Sequence, residues 1–483
     1  MNFIDDFLEL ENKNELFTKK FNNVMFWDYI RAGVYKDIYI KKFGYTNGKS
    51  EQKSQSQLKV YFYILTSIIA RVPSYVFKNP LIGLKKKDIV VLNSARRVKE
   101  GYFYEDIYTD EVLECINYTY YVFEKPFLGK HFKPVKTKNL KYIDYIDLLR
   151  QIRNKVKGVS VSKSISKQDI QVVNDIIDQA QQGFGVRLNK KDFFDKVKKL
   201  TIDYHLVKPL INKILKKVKP KIVIVISSGF YQKLFAEVAK ENGIKVIEFQ
   251  HGIISRYSIA YNYYKELNLK TFPDYVYLFG DYYKENVRFP IDEKRLKVTG
   301  FPYYESKLRE SKNNHSCELP SAILFISQPT IGNQLSKIAL KLSQIIDKRF
   351  SVIYKLHPLE FNCWEQKYPW LLTDTLKVAS SNDGSIYKYF SASFCQVGVY
   401  STAIFEGLGY NLKTIIVRLP GHKNMQPLYS KGYAYLVNTA EDIIGLLEED
   451  SLSVIQTAIN KNYFWCPDSI NNINYQIDRL MHN

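Results

Sequence analysis

The sequence predicts an α/β protein with two doubly wound parallel sheets, and three observations predict it. From residue 221 onwards, and again from residue 321, apolar runs of strand length alternate with amphipathic runs of helix length. That alternation marks strands laid parallel under covering helices. A polar, proline-bearing tract near 302–320 separates the two blocks and reads as an interdomain linker. The length of 483 residues also exceeds what one ordinary core encloses. The expected organisation is a helical extension over 1–87, a Rossmann-like domain over 88–302, a second such domain over 303–450, and a helical tail over 451–483 that packs back. The two sheets are expected to face each other across a cleft.

In the extension, FWDYIRAGVYKDIYIKKF places Trp27, Ile30, Val34 and Ile38 at helical intervals with charges between them. FGYTNGKS, at 43–50, has the wrong glycine spacing for a phosphate loop and reads as a turn. The apolar run VYFYILTSIIA at 60–70 is too short to span a bilayer. Flanked by Lys59 and Arg71, it reads either as a buried helix or as one lying on an anionic membrane surface. DIVVLNS is the first buried strand, and it empties into a polar loop holding Arg96, Arg97 and Glu100. Arginines there suit an anionic acceptor group, or form a solvated face. Residues 124–200 are Lys-, Asp- and Gln-rich and weakly helical.

KIVIVISS, YQKLFAEVAKEN and IKVIEFQ then form a βαβ unit with the usual right-handed crossover. DYVYLFG and RLKVTG complete the first block. The second runs AILFISQ, a helix over IGNQLSKIALKLSQIIDKR, FSVIYKL, SIYKYFSAS, FCQVGVY, TAIFEGLGY, KTIIVRLP and AEDIIGLLEE.

In open α/β sheets ligands sit at the carboxyl ends of strands, where helix N-termini hold phosphates. Gln250-His251-Gly252 occupies such an end, with Arg256 just beyond. The glycine lets the backbone turn, and an imidazole titrating near neutrality suits a general base. A histidine merely hydrogen-bonded in a loop is the plainer reading. In the second block, His357-Pro358 follows one strand and Ser401-Thr402 another. Proline presets a helix start. Lys355 shares the facing of His357 by strand alternation. The hydroxyls suit phosphate or a helix cap, and Glu406, one turn on, suits ribose hydroxyls.

Seventy basic against 49 acidic residues give a formal charge of +21, which anticipates an anionic partner or reflects a lysine-rich coding bias. The basic residues are dispersed and no nucleic-acid motif occurs, so no nucleic-acid partner is expected. A composition 46% hydrophobic and 15% aromatic excludes a disordered chain. The five cysteines form no C-x-x-C pair and fit a reducing compartment. The acidic opening MNFIDDFLELE gives no expectation of a secretory signal. No D-x-D occurs, so no metal site is expected.

The order QHG, G-F-P, KLHP and YSTAIFEGLG, over residues 220–450, resembles GT-B glycosyltransferases of bacterial surface-polysaccharide synthesis. These include capsule and O-antigen (lipopolysaccharide) enzymes, HP-motif sialyl- and Kdo-transferases, and the glycerol-phosphate polymerases of teichoic acid synthesis. The resemblance implies a nucleotide-sugar donor as substrate, with no further cofactor. It places His357, Ser401 and Thr402 near phosphate and Glu406 near ribose, with His251 as base. Glu100 is a second catalytic candidate; Arg96, Arg97, Gln250, Gly252 and Arg256 stand on the acceptor side. A glycan or lipid-linked acceptor, a cytoplasmic location and peripheral contact with the anionic inner face of the cytoplasmic membrane follow. QHGIISRY departs from the HGTP-like form of the polymerases, which favours a sugar over glycerol phosphate. A CDP-polyol phosphotransferase and a non-catalytic scaffold are the alternatives.

Overall fold

The computed structural model describes residues 3–44, 77–127, 130–313, 321–380, 385–448 and 460–482. The apolar run 60–70 and most of 43–50 lie outside them. The chain divides into two compact units. The first comprises Met1–Leu278, Lys284–Thr299 and Ile470–Asn483; the second comprises Phe279–Tyr283 and Gly300–Ser469.

The first unit holds a seven-stranded parallel sheet. Its strands are β1 (Ile89–Leu92), β4 (Tyr120–Glu124), β5 (Leu140–Tyr142), β6 (Ile222–Ile226), β7 (Lys245–Phe249), β8 (Tyr275–Leu278) and β9 (Leu296–Val298), in the order β5-β4-β1-β6-β7-β8-β9. Every residue of β1, β4 and β6 is buried. In β1, Val90 and Leu92 pack with the helices Phe3–Lys13, Trp27–Phe43, Lys167–Phe184 and Lys190–Val218. Ile89 and Val91 face the other way, towards Ile473, Ile477 and Met481 of the tail helix Ser469–His482. Burial on both faces is why these strands read as unbroken apolar runs. The N-terminal helices share this core, and their apolar stripe ends with Gly44 in the left-handed conformation, φ 69°.

The second unit holds a six-stranded parallel sheet of β10 (Ala322–Ile326), β11 (Ser351–Lys355), β12 (Lys377–Ala379), β13 (Ser393–Gly398), β14 (Lys413–Val417) and β15 (Tyr435–Val437). Its order is β12-β11-β10-β13-β14-β15. The fold class expected from the sequence is the one observed: two Rossmann-like parallel sets and a helical N-terminal region. Each sheet reverses once, between β1 and β6 and between β10 and β13. Those reversals are the topological switch points where open sheets leave a crevice. Among the described residues no helix is long and apolar enough to cross a membrane.

Three local expectations are corrected. The polar stretch after the first strand is not a simple loop but an antiparallel hairpin, β2 (Val98–Glu100) and β3 (Phe103–Glu105), turning at Gly101 with φ 57°. Glycine takes that φ without Cβ strain. The tract near 302–320 opens as a helix, Pro302–Asn313, because proline at the first helical position loses no intrahelical bond. The stretch after His357-Pro358 is a turn, with only a short helix, Trp364–Lys367, beyond it. There the Glu360 carboxylate accepts the His357 amide at 2.8 Å and closes the chain back on itself.

Arg97 lies buried beneath the hairpin. It pairs with Glu124 at 2.5 Å and Asp110 at 3.5 Å, and donates to Thr137 at 2.8 Å. His131 bridges Glu124 at 3.1 Å and Asp144 at 2.7 Å, so both ring nitrogens donate and the ring carries charge. Burial opposes that charge, but the hydrogen bonds to Asp144 and Glu124 outweigh it and raise the His131 pKa. A raised folded-state pKa stabilises fully below the unfolded value, about 6.5, and the benefit is lost as pH rises through the folded value. Urea unfolding across pH should show this loss, and His131→Gln should flatten that limb. Arg97→Met, which strands two buried carboxylates, should cost about 3–5 kcal/mol in the same assay.

Candidate functional site

Two constellations stand at the carboxyl edges of the sheets, one in each unit. In the first, β1 runs into Asn93, Ser94 and Ala95, and β6 into Ser227 and Ser228. Ala95 (φ 59°) and Ser227 (φ 74°) both take left-handed backbone. Non-glycine residues in that region cost about 1–3 kcal/mol each and concentrate at functional sites. His251 follows β7, the next strand over. Its carbonyl accepts the Tyr108 hydroxyl at 2.7 Å, and its Nδ1 lies 3.3 Å from the Tyr261 hydroxyl.

Tyr261 donates its only hydroxyl proton to Glu248, a buried carboxylate on β7. With Glu248 ionised, the Tyr261 oxygen is an acceptor towards His251, and the proton between them belongs to Nδ1. That leaves the His251 Nε2 as a lone pair. Burial, and then the Arg96 guanidinium nearby, push the His251 pKa down to about 4, so the ring is neutral at physiological pH. Burial pushes Glu248 up to about 7 against the hydrogen bond from Tyr261. Above that value the chain of donors runs from His251 through Tyr261 to Glu248.

The structure thus brings Arg96 to His251. Gln250 donates to the Gly252 carbonyl at 2.8 Å, closing the turn behind the histidine. Arg97, expected on the ligand face, is committed to the buried network described above. Arg256 pairs with Asp5 at 2.8 Å on the surface, both about half exposed. Glu100 closes β2 opposite Phe103.

In the second unit, β11, β10 and β13 are neighbours. Leu359 donates its amide to the His357 Nδ1 at 3.2 Å, which assigns the ring proton to Nε2. Pro358 is exposed within the turn. Lys355 donates to the Ser380 carbonyl at 2.8 Å, with its ammonium 5.4 Å from the ring centres of Phe361 and Tyr389. Across the switch point, Thr330 after β10 and Tyr400 after β13 join hydroxyl to hydroxyl.

Ser401 caps the helix Thr402–Gly409, accepting the Ala403 amide at 3.2 Å. That helix is fixed along its length. Gln396 donates to the Ile404 carbonyl at 2.7 Å, and a Cβ on Gly407 would meet the Gln396 side chain at 2.1 Å. Towards its end the Phe405 carbonyl accepts Trp465 at 2.9 Å, and the Glu406 carbonyl, one of the last four that lack intrahelical partners, accepts Tyr304 at 3.0 Å. Glu406 is half-buried among tyrosines. Burial raises its pKa to about 7 against the Tyr387 hydrogen bond.

Sequence reasoning missed Glu248, Tyr261, Ser228 and Tyr387. One signal was available: a glutamate inside the apolar strand KVIEF stays there only with a partner. Among the described residues, no group of three or more His, Cys, Asp or Glu is placed to hold a metal.

No family model and no curated protein matches this chain. Solved structures do. The UDP-GlcNAc 2-epimerase of Methanocaldococcus jannaschii is 14% identical over 82% of this chain and 99% of its own, with TM-score 0.48. MurG of Acinetobacter baumannii is 13% identical over 81% and 99%, with TM-score 0.46. The wall teichoic acid polymerase TagF is 11% identical over 89% and 98%, with TM-score 0.43. Likenesses of this size carry no argument about activity.

The His251 ring resonances should titrate near 4 rather than at the ordinary histidine value of about 6.5. Between those values the unfolded chain binds a proton that the folded one refuses, so this group subtracts stability as pH falls. His251→Phe should remove that part of the slope; an ordinary titration by NMR would refute the assignment.

Proposed function

We propose that the protein is a metal-independent glycosyltransferase. It moves a sugar from a nucleotide-activated donor to a growing or lipid-linked surface-polysaccharide acceptor of the capsule or O-antigen kind. One observation carries the reading: strands β11 and β13, on either side of β10, end in His357 and in Ser401-Thr402. Phosphoryl oxygens need preorganised donors. The Nε2 proton of His357, the Thr402 hydroxyl and the Thr402 amide at the start of its helix supply them, while Glu406 takes a ribose hydroxyl.

In the first unit the Nε2 lone pair of His251 removes the proton of the acceptor hydroxyl. That oxygen bonds to the anomeric carbon as the carbon–oxygen bond to the leaving phosphate breaks. The leaving phosphate carries away the electron pair of that bond. Arg96 favours an anionic acceptor beside the base. The basic surface serves peripheral contact with the anionic cytoplasmic face of the membrane.

Thermal unfolding with CMP, CDP, UDP, GDP and dTDP tests the donor site. A ligand that binds only the folded state adds about 2.7 kcal/mol at a hundredfold excess over Kd. One nucleotide should raise the melting temperature, and His357→Ala should abolish the rise. No shift with any of them at millimolar concentration would overturn the reading in favour of a scaffold.

In a transfer assay with the matching donor, His251→Gln should lose about 10²–10⁴-fold in rate, and turnover should persist in EDTA. Strict dependence on added magnesium or manganese would sink the metal-independent reading.

A further inference from the structure

The segment between β7 and β8, from 250 to 274, holds no helix or strand. Connections beyond about 12–15 residues without structure of their own are uncommon in compact domains. This one carries Tyr261, the partner of the His251 ring. Its backbone bonds are partly local, as from Tyr261 to Ser258 at 2.8 Å, and partly to neighbouring chain, as from Tyr263 to Arg288 at 2.9 Å, Leu267 to Pro290 at 2.8 Å and Asp274 to Val246 at 2.9 Å. Around Tyr261, side chains from the N-terminal helices add a second hold.

Arg31, on the helix Trp27–Phe43, is fully buried and donates to the carbonyls of Ile259 and Asn262, the latter at 3.0 Å. Those residues bracket Tyr261. The guanidinium lies 4.1 Å from the Tyr263 ring centre. It is held rigid from behind by Glu11, through bonds of 2.8 and 2.6 Å. Asp28, three residues earlier and so on the same helix face, accepts the Tyr263 hydroxyl at 3.0 Å and the Thr271 hydroxyl at 2.6 Å. Lys233, at 2.9 Å, balances its charge. One helix face thus grips the segment on both sides of Tyr261 and again near its end.

We propose that Arg31 and Asp28 are positioning residues for His251: by fixing the segment that carries Tyr261, they hold the imidazole in its Nδ1–H tautomer with the Nε2 lone pair presented. The base role of that lone pair rests on the proposed function; the tautomer does not. Free imidazole side chains favour Nε2–H, so the Nδ1–H form is a signature of the Tyr261 contact. The folding role of a buried arginine would not by itself produce it.

The test is nitrogen NMR of the full chain labelled in histidine, recorded above the Glu248 transition, with His251 assigned by loss of its signal in His251→Gln. The wild-type ring should be in the Nδ1–H form. Tyr261→Phe, which removes the acceptor, should shift it to Nε2–H. Arg31→Lys, which cannot reach two carbonyls and Glu11 together, should give a mixture. Tyr263→Phe and Thr271→Val each remove one bond to Asp28 and should move the ring the same way even where Arg31 variants fold poorly. A wild-type Nε2–H ring, or variants that fold and keep the wild-type tautomer, would overturn the proposal.

The transfer assay separates this from failure of the functional reading. If the reading holds, Arg31→Lys lowers kcat with nucleotide binding unchanged. If the protein transfers no sugar, the tautomer shifts still occur and the positioning stands alone.

Discussion

Everything placed at the candidate site follows from burying parallel strands on both faces. A strand such as IVVL or IVIVI has no solvent side on which to carry a functional group, because helices cover it above and below. Polar chemistry is driven to the strand ends. The carboxyl ends are favoured because helix N-termini and outward-turning loops converge there. In each sheet the chain reverses once, and the reversal leaves adjacent loops that diverge to opposite faces. Ala95 and Ser227 flank one reversal and Thr330 and Tyr400 the other.

Charge inside the first unit obeys a second rule. Transferring an ion from water to the interior is costly unless its bonds are replaced. The buried ions of this unit come in sets with several bonds each, as around Arg97 and around Arg31. Such sets add little net stability compared with apolar packing. They are geometrically exacting, however, and both fix irregular chain beside the strand ends: the hairpin with the 130–137 loop in one case, the 250–274 segment in the other. Glu248 and Glu406 lack a cation bonded to them and rest on tyrosine hydroxyls, and burial raises both carboxyls to about 7.

The sequence made legible what depends on local periodicity. β6, β7, β10, β11, β13 and β14 are apolar runs with breakers at their ends, and each was placed. β4 was not, because YYVFE is aromatic rather than aliphatic and ends in a charged residue. β5, β12 and β15 are three residues each, too short for any period. The helices over 144–218 read weakly because their charged faces are wide. His251, His357, Ser401 and Glu406 stand out in the sequence because a strand end is visible in one dimension. Their partners were not. Tyr261 lies ten residues from His251, and Arg31 lies 228 from the carbonyl it holds. Arg97 illustrates the opposite error. It stands beside Arg96 in sequence, but one turns outward and the other into a carboxylate cage, a difference set by Glu124 and Asp110 across the sheet.

The two histidines differ in a way no motif could have indicated. Both end a strand, and both have Nδ1 engaged by the protein, but with opposite polarity. His357 accepts from a backbone amide and so carries its proton on Nε2; His251 donates to Tyr261 and so carries a lone pair there. An imidazole that must meet phosphate oxygen needs the first arrangement, and one that must take a proton from a hydroxyl needs the second. Local geometry sets the first, through the tight turn that Pro358 and the Glu360 carboxylate close. The second needs a carboxylate behind a tyrosine behind the ring, and hence the long segment and the helix face that grips it. His251 therefore depends on distant structure, while His357 is held mainly by its own turn.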